Sequence, residues 1–119
     1  MHRVILCGMR FLGRHGVDPE ERQRPQPFLV DVEVTGDFTE AAVRDDLALA
    51  VDYRDLYAIC RRIVEGRSFR LLEALGEAIA ADLLRLPRVA EVTVRVKKPE
   101  ARVGGPIAYE AVEVTRRRA

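Results

Sequence analysis

Phe28-Leu29-Val30-Asp31-Val32-Glu33-Val34-Thr35-Gly36-Asp37-Phe38 decides the fold class. Phe28, Val30, Val32 and Val34 fall on one face of an extended chain, and Asp31, Glu33 and Thr35 on the other. A period of two marks a strand with one face on a core and one toward solvent. The same period returns downstream, where Val92, Val94 and Val96 alternate with Thr93, Arg95 and Lys97. Arg3 to Leu12, with Gly8 inside it, reads as a strand before this pair, and Tyr109 to Arg116 as one after it. A loop rich in charge, Gly and Pro runs from Gly13 to Pro27, and Thr39 to Ala50, containing Asp45-Asp46, is a connection.

Two helical patterns lie between the two clear strands. Leu56, Tyr57, Cys60, Ile63 and Val64 recur at helical spacing over Tyr53 to Glu65, with Asp52 as N-cap and Gly66 as the stop. Leu72, Leu75, Ile79 and Leu83 form the stripe of a second helix from Phe69 to Leu84, with Ser68 as its cap and Pro87 closing it. The order is ββααββ. It predicts an α+β fold, an antiparallel sheet with two helices on one face. The 119 residues make one domain, residues 1–119, with no repeat, linker or low-complexity segment.

Composition removes several classes of function. The 20 basic and 19 acidic residues nearly cancel, to a net charge of +1, so no nucleic-acid partner is expected. Arg116-Arg117-Arg118 reads as a solvated tail. No apolar run approaches the roughly 20 residues of a membrane helix, and the N-terminus lacks the pattern of a signal peptide. Cys7 and Cys60, far apart and in apolar surroundings, are expected as buried thiols in a reducing compartment, which places the protein in the cytoplasm. The only histidines are His2 and His15, and there is no Cys-x-x-Cys, so a three-histidine zinc site is not expected within one chain. Neither Gly-x-Gly-x-x-Gly nor a P-loop is present. A Ser-His-Asp arrangement would need Ser68, the sole serine, and has no local support.

Four places carry candidate chemistry. Lys98 is in phase with Val92, Val94 and Val96 and should leave the strand on their apolar face, whereas Lys97 should point to water. A lysine placed like Lys98 is either a proton-transfer group or a snorkelling residue at a sheet edge. Glu73, near the start of the second helix, is either an exposed helix carboxylate or an anchor for a planar ligand edge with two adjacent N–H donors. Tyr53 is either a core aromatic at a helix start or a ring that stacks on a flat ligand and passes a proton. His15-Gly16 with Glu20-Glu21 is either a turn with solvated charges or part of a functional loop.

In sequence order these pieces are Leu6-Cys7-Gly8-Met9-Arg10-Phe11 with Gly13, His15-Gly16-Val17, Glu20-Glu21, Gln26 and Phe28. Then come Asp45-Asp46-Leu47, Val51-Asp52-Tyr53, Leu71-Leu72-Glu73-Ala74-Leu75 and Val94-Arg95-Val96-Lys97-Lys98-Pro99. The ordered set resembles the dihydroneopterin aldolase family over nearly the whole chain. Three positions depart from that pattern. Ala50 stands where Thr is frequent, Pro25 where a glycine is common, and Ala101-Arg102 where Ala-Pro is expected.

The resemblance implies the tunnelling fold, in which the sheets of several subunits join into a barrel. It implies a homo-oligomer, tetramer or octamer, with active sites between subunits. It also implies a small-molecule pterin substrate, and Glu73 as the anchor of the pterin's 2-amino and ring N–H edge. Tyr53 would arrive from the neighbouring subunit, and Lys98 would serve in acid–base catalysis with Glu21 beside it. Backbone groups around Val17, Val51 and Leu72 would complete the pocket. The implied reaction is a retro-aldol cleavage of 7,8-dihydroneopterin in folate biosynthesis. The substrate's own N5=C6 imine takes the electrons, so no metal and no cofactor are called for. Three other readings stay open: epimerisation of dihydroneopterin or its triphosphate, a zinc-dependent relative of the same fold, and a non-catalytic pterin-binding module.

Overall fold

A computed structural model describes residues 1–119. Four antiparallel strands form one sheet in the order β1-β2-β3-β4, with β1 His2–Gly13, β2 Gln26–Gly36, β3 Val89–Lys98 and β4 Glu110–Arg117. The chain is α+β, as its alternation predicts. The inward residues of β2 (Phe28, Val30, Val32, Val34) and of β3 (Val92, Val94, Val96) are all fully buried. They stand opposite one another, Val30 against Val96, Val32 against Val94 and Val34 against Val92. The two long helices, α3 Tyr53–Gly66 and α4 Leu72–Leu84, cover that face, α3 over β1 and α4 over β3 and β4.

Two shorter helices, α1 Pro19–Gln23 and α2 Thr39–Arg44, and a 3-10 turn at Leu47–Leu49 occupy segments that the sequence reads as loop and connection. Pro19 opens α1 at a position where its missing N–H costs nothing. Asp45 ends α2 in the left-handed region (φ 54°), and the Asp46 carboxylate accepts from Ala48 N–H at 3.0 Å. Asp52 caps α3 as expected, accepting from Arg54 N–H at 2.9 Å. Ser68 does not cap α4. The helix starts three residues beyond Phe69, behind Leu71, and the Ser68 hydroxyl donates to Arg14 C=O at 2.5 Å. Gly66 is the last residue of α3, with Arg67 as its cap.

Three further expectations change. A bulge in β1 between Leu6 and Met9, with Gly8 at φ 72°, turns Cys7 to the exposed face, while Cys60 is buried as expected. Lys97 does not extend into water. Its ammonium pairs with Asp31 at 3.0 Å and lies 5.1 Å from the centre of the Tyr109 ring. The arginine run is not a free tail: Arg117 pairs with Glu91 at 2.5 Å, and Arg118 donates to the carbonyls of Val89 and Leu86 at 2.8 and 2.9 Å. No helix is long and apolar enough to cross a membrane.

Register and packing decide which residues meet at each end of the sheet. Gln26 pairs with Gly13, Leu29 with Lys97, and Lys98 with Glu110, so all share one end. Helix α4 runs antiparallel to β3, and a Cβ on Gly76 would lie 2.9 Å from Val114 Cγ2 and 3.9 Å from Val96 Cγ2. Glu73 is one turn before Gly76, and Lys98 two residues past Val96, so the first turn of α4 belongs to the Lys98 end.

Candidate active site

Lys98 leaves the last residue of β3 on its apolar face, as the strand phase predicts, and is 8% exposed. An ammonium so placed needs a counter-charge. Glu21, in the short helix α1, supplies it, with Oε2 2.5 Å from Lys98 Nζ. The hydrogen bond from Lys98 holds the Glu21 carboxyl below the usual carboxylate range. Gln26, at the start of β2, donates to the same Glu21 oxygen from Nε2 at 3.4 Å, and its own Oε1 is buried without a donor.

The pair opens into a cleft of about 320 Å³, whose wall includes Glu21, Gln26, Lys98, Arg24 and Arg102. That volume lies at the small end of the range of roughly 300–1,000 Å³ usual for small-molecule sites. Four further carboxylates, Asp18, Glu20, Glu100 and Glu110, share the wall. Pro25 and Ala101-Arg102, two of the departures, line this cleft, while Ala50 lies away from it at the end of the 3-10 turn.

The other candidates do not join this cleft within one chain. Glu73 is exposed in the first turn of α4, beside the buried Leu72, at the same end of the sheet. Val17 is exposed in the β1–β2 connection, and Val51 is buried just before α3. Tyr53 is 61% exposed at the start of α3. Val64, later in that helix, reaches the Lys98 end through His15, whose Nε2 donates to its carbonyl at 2.8 Å. Eleven residues separate Tyr53 from Val64, so Tyr53 stands about 16 Å further along the helix axis. It is not among the residues that line the Lys98 cleft of its own subunit.

His15 is fully buried, so the solvated-turn reading of its loop fails there. Arg22, not singled out in the sequence, donates from Nη1 to the carbonyls of Gly16 and Val17 at 3.0 and 2.7 Å and thereby fixes α1 under the loop. Gln26 entered only as one piece of the family pattern. A polar side chain at the first position of an otherwise apolar strand face was the available signal. Among His, Cys, Asp and Glu side chains, no three come together in a geometry suited to a metal ion.

A nearly buried lysine paired with a carboxylate faces a ligand-sized cleft at the end of a strand, an arrangement chemically able to exchange a proton with a small molecule held there. The dihydroneopterin aldolase (FolB) family model matches residues 4–115. The dihydroneopterin aldolase of Bacillus subtilis (strain 168) is 39% identical over 119 residues, covering 99% of both chains. The crystal structure of E. coli dihydroneopterin aldolase in complex with neopterin superposes with a TM-score of 0.86, at 29% identity over 98% of this chain and 99% of that one. The dihydroneopterin aldolase of Burkholderia thailendensis bound to guanine gives 0.83, at 26% identity over 99% and 92%. The chain belongs to the dihydroneopterin aldolase family.

Proposed function

We propose that this chain, as one domain, cleaves the side chain of 7,8-dihydroneopterin in the cytoplasm, yielding 6-hydroxymethyl-7,8-dihydropterin and glycolaldehyde for folate biosynthesis. The observation that carries the reading is the Lys98–Glu21 pair, 2.5 Å apart and facing the cleft, in a chain of this family. A base takes the proton of the 2′-hydroxyl, the C1′–C2′ bond breaks, and its electrons move into the N5=C6 imine. The enamine is then protonated at C1′. Lys98, with Glu21 setting its charge environment, handles these protons, and Tyr53 assists. The substrate carries its own electron sink, so the reaction is metal-independent.

Glu73 anchors the 2-amino and ring N–H edge. The relatives crystallised with neopterin and with guanine support this, because both ligands present that edge. Leu72, Val51 and Val17 contribute backbone groups. Two features of the subunit favour sites shared between copies. Tyr53 does not line its own cleft, and Tyr53, Val17 and Leu71 expose apolar surface. The radius of gyration, 15.4 Å, also exceeds the about 13.5 Å of a compact chain this long. The assembly we infer is the tunnelling fold's barrel, a tetramer or an octamer of two such rings. The carboxylates around Arg24 and Arg102 disfavour a triphosphate.

The test is incubation of chelator-treated protein with 7,8-dihydroneopterin, followed by chromatography of the pterins. A 6-hydroxymethyl-7,8-dihydropterin peak is expected, and a 7,8-dihydromonapterin peak would measure any epimerisation. Unchanged substrate would refute the aldolase reading.

A further inference from the structure

The β1–β2 connection and the α3–α4 connector meet over one buried side chain, His15. Its two ring nitrogens have opposite duties. Phe69 N–H donates to Nδ1 at 3.0 Å, so the proton sits on Nε2, which donates to Val64 C=O at 2.8 Å. The ring stacks on Phe69 at 5.8 Å and meets Phe28 edge-on at 5.1 Å. A Cβ on Gly13 would lie 2.8 Å from it, so it has no slack on that side. Burial pushes the imidazole's pKa down, outweighing the opposite pull of the hydrogen bond to Val64, and the nearby positive charge of Lys98 adds to the lowering, so the neutral ring that these bonds need is favoured.

Two arms leave this joint. One runs through Phe69, three residues before Leu72 and four before Glu73, to the first turn of α4. The other runs through Gly16, whose N–H donates to Phe69 C=O at 3.0 Å. Gly16 packs so tightly on Glu21 that a Cβ there would sit 2.4 Å from its carboxyl group. Glu21 in turn holds Lys98. A neutral imidazole is the side chain that puts an acceptor and a donor on opposite sides of a rigid ring, with no rotatable bond between them.

We propose that His15 is a positioning residue, the joint that fixes the Lys98–Glu21 pair relative to the first turn of α4, where Glu73 stands. What the two ends do to a pterin rests on the aldolase reading; the joint itself does not.

The test uses His15→Phe, which keeps a packed ring and removes both hydrogen bonds, and His15→Asn, which restores an acceptor toward Phe69 alone. The first readout is free of catalysis: the 13C carboxyl titration of Glu21 in the ligand-free protein. In His15→Phe it should return toward the ordinary carboxylate range, because the pair with Lys98 loosens. Neopterin affinity should fall at least tenfold in His15→Phe and recover to within about threefold in His15→Asn. A merely structural histidine would lower the melting temperature and leave Glu21 titration and neopterin affinity of the folded variant unchanged, and that result overturns the proposal. Should neither variant fold, amide exchange in the unaltered protein decides. Phe69 and Gly16 N–H must exchange slowly and together, and fast exchange of Phe69 alone refutes the joint. Wild-type protein that fails to cleave dihydroneopterin would sink the aldolase reading, yet Glu21 titration and amide exchange would still judge His15.

Discussion

Replacing Glu21 by Gln keeps the shape of the side chain and one acceptor for Lys98 and removes only the charge. Breaking a buried ion pair by removing one partner costs about 3–5 kcal/mol, because the other charge is left desolvated. Lys98 meets that condition, its side chain being 10% exposed, whereas that of Glu21 is 27% exposed and partly screened by water. Discounting for that screening leaves about 1.5–3 kcal/mol. At roughly 4 °C per kcal/mol for a chain of this size, the melting temperature should drop by roughly 6–12 °C.

The pH dependence follows from the direction of the Glu21 shift. Its carboxyl is depressed in the folded state, chiefly by the Lys98 hydrogen bond. Its contribution is therefore full above the unfolded value of about 4.3 and is lost as pH falls through the native value. Thermal unfolding followed by circular dichroism, at one protein concentration and from pH 7.5 down to pH 4 and below, should show the wild-type advantage at neutral pH shrinking at the acid end. A neutral-pH difference under about 2 °C, or a gap that ignores pH, would refute the claim that this pair is held as a buried charge pair.

Lys98→Ala should lower kcat by roughly 10²–10⁴-fold, the usual scale for losing a general acid–base group, with neopterin affinity little changed. Steady-state kinetics beside a binding titration checks it, and undiminished turnover would remove Lys98 from the chemistry. Glu73→Ala should instead act on binding, weakening neopterin by roughly 10–150-fold for a lost charge-assisted hydrogen bond of about 1.5–3 kcal/mol. Mixing inactive Lys98→Ala and Tyr53→Ala chains by joint unfolding and refolding should restore about a quarter of wild-type activity. Each site then needs one intact residue from each of two neighbouring copies, a half times a half. No recovery on mixing would confine the site to one subunit.

The sheet and the long helices were legible because their signals are periodic. The alternations centred on Val32 and Val94 stand opposite each other in the sheet, and Asp52 caps α3 as its position implied. Lys98 was legible from the phase of its strand alone. What stayed hidden depends on contacts between distant segments. Ser68 had the chemistry of a cap, but a carbonyl 54 residues away claimed its hydroxyl. His15 looked like a loop residue because its partners, Val64 and Phe69, lie 49 and 54 positions downstream. Glu21 acquires its counter-charge only when β3 brings Lys98 beneath α1, and Lys97 leaves water only because Asp31 lies across the strand pair.

The bulge at Gly8 divides β1 into two halves of opposite parity. Before it Val4 and Leu6 pack on the core; after it Met9 and Phe11 do. The amide of Gly8 is fastened to Asp31 at 2.7 Å, so the extra residue is locked to one place in the ladder. Seen across the history of such a chain, Gly8 is a reading-frame mark in three dimensions. Pairing the full-length strand straight through, without the bulge, would swing one half of its apolar side chains out to solvent, whereas removing one residue at Gly8 would take the bulge away and leave both halves facing the core. A change of length is therefore absorbed in β1 only at the bulge, and one placed elsewhere in the strand would turn part of its apolar face outward.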